Sequence, residues 1–341
     1  MIGVLFLFSC KKKKDPEPME GFSLQNGMLV LCEGLFQQNN SAISWVDQTA
    51  GSVTPDLFLN QVGRGLGDTG NDILKYGGKL YVAVNVSSTI EILDGTSFKS
   101  LKQISMMDGS NPKQPRQLLG YGSNVFITCF DGYVDVLDTA SMTITNRIQV
   151  GANPEGIAAA NSKIYVSNSG GLNYPDLDST VSVIDPLTLT ESTKITVGLN
   201  PGNIISDQNG DVYLITRGDY GNIPAQMYRI DNLNNVSASG IEVDYIVPFN
   251  SDFLLVYSTS GMKHLGVYNA SMESISTSDL INISNVQTIY GVNYSPYSGK
   301  ITVSDAMGYV NSGKVYVFDS NGNTITNYQV GLNPSKIIFY E

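Results

Sequence analysis

The side chains able to do chemistry are thinly spread in this chain, and the acids among them come in pairs set between turn residues. "GDTGND" carries Asp68 and Asp72, and "YPDLDS" carries Asp176 and Asp178. Two carboxylates so close can divide acid and base work, or hold a calcium ion through their oxygens. Oxygen-rich loops of this kind also arise simply as turns. "DQNGD" at Asp207 imitates a calcium loop, but its Asn-Gly is a hairpin dipeptide and the turn reading is the stronger. There is one histidine, His264, expected in a loop, and no G-x-S-x-G elbow, so a serine triad lacks its parts. Cys32 and Cys129 fall in no CxxC or His/Cys cluster, which leaves no zinc site; both are expected as buried free thiols. Arg217-Gly218-Asp219 matches an integrin-binding tripeptide, at a frequency expected by chance. Catalysis is therefore not expected.

The remaining functional candidates stack and hydrogen-bond. The aromatics are Phe36, Phe130, Tyr174, Tyr220, Tyr290 and Tyr309. The polar set is Arg64, Arg116, Arg217, Asp68, Asp131, Asp219 and Asn168. Rings beside amides and guanidiniums, with few catalytic groups, suit a large amide-bearing ligand or a glycan. Part of the set is expected only to pack loops against one another.

The elements that position these residues follow from a repeat. "VGANPEGIA" from Val150, "VGLNPGNII" from Val197 and "VGLNPSKII" from Val330 share V-G-x-N-P, two residues and an apolar run. Their spacing fits a unit of roughly 45 residues, the size of one propeller blade. Within a unit come four short strands, the third ending in Asp or Asn. That landmark occurs at Asp47, Asp94, Asp138, Asp185, Asp231, Asn269 and Asp319. Each of these side chains suits a turn, accepting backbone N–H bonds two residues on. The fold expected is an all-β, seven-bladed propeller of four-stranded antiparallel blades over residues 26–341. The last V-G-x-N-P is followed by one strand only. Ile337–Tyr340 should therefore form the innermost strand of the blade begun near Gly27, closing the ring and removing its open edge.

Composition agrees: 341 residues, 42% hydrophobic, 15% charged and 34 glycines give enough apolar mass for a core and many turns. A net charge of −11 argues against nucleic acid. Residues 1–9 read as a lipoprotein signal peptide whose basic start lies upstream, with Leu7-Phe8-Ser9-Cys10 similar to a lipobox. Cys10 would carry the lipid, and residues 10–25 would form a polar tether.

"NPEGIAAANSKIYVSN", with Tyr165-Val166-Ser167-Asn168, resembles the YVTN repeat of bacterial cell-surface β-propellers, the group that includes YncE-like proteins. The resemblance covers roughly Gly27 to Glu341 and implies the fold. In anchor, blade count and a Tyr-, Asn- and Arg-rich loop face, the chain is similar to the cobalamin-capturing surface lipoproteins. That implies a corrinoid (vitamin B12) as cargo, an outer-membrane TonB-dependent transporter as partner and a lipid anchor at the cell surface. Aromatics would lie against the corrin or its nucleotide base, while amides and arginines would bind its peripheral amides and phosphate. No catalytic cofactor is implied, and calcium in the acid-paired loops stays open. The alternative is a glycan-binding or surface-layer-type interaction propeller without cargo. A propeller hydrolase or lactonase would need carboxylates converging on the central channel. The aligned second-strand residues Cys32, Val84, Cys129, Asn168, Thr216, Tyr257 and Ser304 show no acidic ring.

Overall fold

The computed structural model describes residues 21–341; the expected signal segment and Cys10 lie outside the described residues. Seven four-stranded antiparallel sheets succeed one another along the chain. The first combines Gly27–Cys32, Ala42–Asp47 and Ser52–Thr54 with the C-terminal Pro334–Tyr340. Later blades begin with innermost strands Gly70–Tyr76, Pro115–Tyr121, Pro154–Ala160, Pro201–Ser206, Glu242–Phe249 and Ile289–Tyr294. Leu29 faces Ile338, and Gly27 faces Tyr340, so the two ends of the chain close the ring as the repeat predicts.

Strand composition sorts with distance from the axis. A second strand such as Lys79–Val84 (KLYVAV) is buried on nearly every residue, because both faces pack against other blades. The outer strand Ser100–Ser105 is mostly exposed and polar. Seven apolar clusters result, one at each seam between neighbouring blades. Cys32 lies in the seam of blades seven and one, and Cys129 in that of blades two and three. Both are free, and burial pushes the Cys32 thiol up to about 12. Just ahead of the ring, Leu24 is buried and Phe22 meets Trp45 edge-on at 6.2 Å.

The landmark acids act as turns, as expected. Asp138 accepts from Ser141 N at 2.7 Å, Asp231 from Leu233 N at 2.8 Å and Asp319 from Asn321 N at 2.9 Å. Asn269 does the same for Met272 N at 2.7 Å. These hairpins cap the lower face. His264 departs from expectation: it sits in the strand Met262–Asn269, not in a loop. The turn before it shrinks to Ser260-Gly261, both with positive φ, as a tight hairpin requires.

In V-G-x-N-P the asparagine makes the turn. Asn153, Asn200 and Asn333 have φ of 44°, 60° and 55°, a region asparagine tolerates better than most residues. The two residues after each proline have a different task. In all seven blades the innermost strand carries one extra residue near its upper end relative to its partner. Such a bulge twists the strand and re-aims a side chain.

Candidate functional site

The bulges surround the upper mouth of the central channel, a cavity of about 970 Å³ lined by all seven innermost strands. Asn71, Arg116, Asp244, Tyr290 and Ser335 sit at bulged positions and line it. Glu155 occupies the bulge of the fourth blade. Buried hydroxyls on second strands hold two of these bulges. Thr128 Oγ1 accepts from Gln117 N and donates to Glu155 O, both at 2.9 Å, and Ser167 Oγ accepts from Gly156 N at 2.8 Å.

Glu155 is the electrostatic centre. Its carboxylate is buried and accepts from Arg116 Nη2 and, at 3.4 Å, from Arg217 Nη2. Burial alone would raise its pKa, but the two guanidiniums outweigh burial and hold it below the usual range. Arg116 also donates to Asn71 Oδ1 and lies 4.5 Å above the Phe130 ring. Arg217 leaves the end of its strand and crosses the inner strand over Gly202. A Cβ there would come within 2.7 Å of the guanidinium, so any other residue would push Arg217 aside.

Across the mouth, Tyr290 donates to Glu33 Oε2 at 2.5 Å and meets Tyr309 edge-on at 5.9 Å. Burial raises Glu33 above the ordinary carboxylate range, against the hydrogen bond from Tyr290 and the charge of Arg116. Two more ion pairs complete the rim: Lys336 Nζ to Asp72 at 2.5 Å and Lys263 Nζ to Asp244 at 2.7 Å. Carboxylates therefore do reach the channel, from inner strands and a loop. The second-strand positions could not reveal them, because side chains such as Val84 and Cys129 are buried in the seams.

Of the residues singled out by sequence, the structure gathers Arg116, Arg217, Tyr290 and Tyr309 at the mouth, with Phe130 beneath Arg116. Tyr220 stands at the rim, 69% exposed, its hydroxyl accepting from Asn200 Nδ2 at 2.9 Å. Phe36 and Tyr174 are exposed on upper loops. The others brace the scaffold. Arg64 makes a two-pronged pair with the buried Glu91, at 2.9 and 2.8 Å, away from the channel. Asp68 accepts from Gln37 N and Asn39 N, and Asp219 from Gly221 N and Ile223 N. Asp131 pairs with Arg147. Asn168 is wholly buried, bonding Gly151 N, Thr180 and Ser182. Among the acid pairs, Asp178 is taken up by Ala152 N, Ser179 N and Thr180. Among the described residues, no group of three or more His, Cys, Asp or Glu side chains is placed to hold a metal ion. Glu33, Glu155, Asp244, Lys263 and Lys336 were missing from the sequence-derived set. For Glu155 and Lys336 the signal available was the pair of residues between N-P and the apolar run; Glu33, Asp244 and Lys263 follow no such motif.

Seven four-stranded blades, an upper mouth ringed by polar bulges and a C-terminal closing strand define a seven-bladed β-propeller. The chain belongs to the family described as "Domain of unknown function (DUF5074)", whose family model matches residues 26–340. No curated protein matches it. Among solved structures it is similar to a quinonprotein alcohol dehydrogenase-like protein from Bacteroides thetaiotaomicron, with TM-score 0.66 and 16% identity over 94% of this chain and 80% of that one. It is also similar to a candidate 6-phosphogluconolactonase from Bacteroides uniformis, with TM-score 0.62 and 12% identity over 92% and 99%. A third likeness is to the dihydro-heme d1 dehydrogenase NirN, with TM-score 0.59 and 12% identity over 95% and 79%. At these identities the likeness concerns the fold alone.

Proposed function

We propose that this propeller is a binding protein that captures a corrinoid over the upper mouth of its channel. The observation that carries the reading is the convergence of Arg116 and Arg217 on one buried carboxylate, opposite the Tyr290–Tyr309 pair. Arg217 is held by a single contact, which leaves most of its donors free for a ligand's amide oxygens or phosphate. The cavity, about 970 Å³, is at the upper end of the usual small-ligand range. A corrinoid is larger, so it would seat across the mouth with only its peripheral groups entering, its flat ring near Tyr309 and Tyr220. On this reading Cys10 is lipidated, the protein stands at the outer-membrane surface, and the cargo passes to a TonB-dependent transporter.

Calorimetry with cyanocobalamin tests the reading. One-to-one binding by the wild type, weakened about tenfold or more by Arg217→Ala, supports it. No heat, together with an unchanged Tm at saturating cyanocobalamin, overturns it and leaves a glycan-binding surface as the next reading.

One observation favours a second reading, catalysis at the same mouth. Glu33, raised in pKa and bonded to Tyr290, has the character of a general acid. The candidate lactonase among the structural neighbours names a first assay, hydrolysis of 6-phosphogluconolactone. Turnover abolished by Glu33→Gln would support catalysis, and absence of turnover would remove it.

A further inference from the structure

A second cavity, of about 770 Å³, opens on the upper face over the seam between the sixth and seventh blades. Its floor is Ile283, Val286 and Ile289, whose inner sides pack on the seam's apolar cluster. Met262, 63% exposed, and Tyr309 form its walls. Asp279, Asn282, Ser284 and Gln287 edge it. Lys263, Ile289 and Tyr309 line both this groove and the channel, so the two are one continuous, bent depression.

The walls are braced in advance. The buried Asp305 accepts from Gln287 N, Thr288 N and Met307 N, each at 2.8 Å, tying the blade-to-blade connector to the turn that carries Tyr309. The connector is further fixed by Ser284 N to Asn282 Oδ1 at 2.9 Å and Val286 N to Ile283 O at 3.0 Å. Lys263 is paired with Asp244 and Asp279 is hydrogen-bonded to His264, so the polar groups at the groove's edge already have partners and its floor and walls form an apolar slot. A thioether, a phenol ring and three branched aliphatics fit a flat, weakly polar ring, with amide and hydroxyl groups at its edge.

We propose that this groove is a second subsite, which takes a planar, ring-bearing arm of the ligand whose polar core occupies the channel mouth. The inference rests on the corrinoid reading, since cyanocobalamin carries such an arm in its benzimidazole nucleotide and dicyanocobinamide lacks it. Calorimetry with both probes, on the wild type and on Ser284→Trp, separates the two claims. Ser284 is exposed, so the indole can fill the groove without disturbing the core. The expected result is that the wild type binds cyanocobalamin about tenfold or more tightly than dicyanocobinamide. Ser284→Trp should then remove that advantage and leave dicyanocobinamide binding unchanged. Equal wild-type affinities for the two probes, or an advantage that survives Ser284→Trp with an unchanged melting curve, would overturn the subsite while leaving corrinoid capture standing. Binding of neither probe would overturn the corrinoid reading, and this assignment with it.

Discussion

The carboxylates at the two ends of the blades are chemically alike and environmentally opposite. On the lower face, Asp94, Asp138, Asp185, Asp231 and Asp319 sit in near-identical hairpins, and hydrogen bonds to the ionised form hold each below its ordinary pKa. At the upper mouth the two glutamates have opposite environments. Burial raises Glu33, whereas Arg116 and Arg217 pull the buried Glu155 down. The lower end repeats one solution because every blade needs the same turn. The upper end departs from the repeat at the bulged position, where Asn71, Arg116, Glu155, Gly202, Asp244, Tyr290 and Ser335 stand in succession. Departure from the repeat, not the repeat itself, marks the site.

Breaking the scaffold should have the largest effect. Ending the chain at Leu332 removes the strand that pairs with Gly27–Cys32, and with it Ile337, and so exposes Met28 and Val30 of the seam. The shortened protein should lose its cooperative melting transition and aggregate, as read by calorimetry and size exclusion. Arg116→Ala should come next. It leaves Glu155 buried with one weak partner, at a cost of about 3 kcal/mol in chemical denaturation. Arg217→Ala sharpens the comparison, because that side chain is part-exposed and its one contact with Glu155 is long, at 3.4 Å. Its effect on denaturation should be smaller than that of Arg116→Ala, about 1 kcal/mol, while cyanocobalamin affinity falls.

The two ends should also differ in pH dependence. The lower aspartates have folded pKa values below their unfolded ones, so their contribution is complete above about pH 4 and vanishes as pH falls through the folded values. Glu33 has the opposite sign. Its contribution is present below about pH 4.3 and is lost as pH rises through its elevated folded value. Glu33→Gln should therefore flatten the stability curve above that point, and Asp138→Ala should flatten it below. The smallest effect expected is that of Asp138→Ala at neutral pH: a slight fall in Tm, with cyanocobalamin binding unchanged.

The ring was legible because its signals recur. V-G-x-N-P and the terminal acid of each third strand are local, and each copy reinforces the others. The lone strand after the last V-G-x-N-P even disclosed the closure. The site was legible only in part. Arg116, Arg217, Tyr290 and Tyr309 stood out by type, but their partners come from distant points of the chain. Glu33 meets Tyr290, and Glu155 meets Arg217, only because ring closure and blade order bring them together. Asn168 shows the reverse case: a polar side chain with ligand-binding chemistry is consumed wholly by its own blade. Type and spacing cannot separate the two situations, since both need a polar residue at a strand end.

The central claim is that the upper end of the propeller is built for ligand and the lower end for support. Amide hydrogen exchange with and without saturating cyanocobalamin tests it most directly. The account predicts slowed exchange in segments 33–41, 282–290 and 305–312, and unchanged exchange in the lower hairpins at 138–142, 185–189 and 319–323. Protection confined to those lower hairpins, or none on the upper segments despite bound ligand, would contradict it.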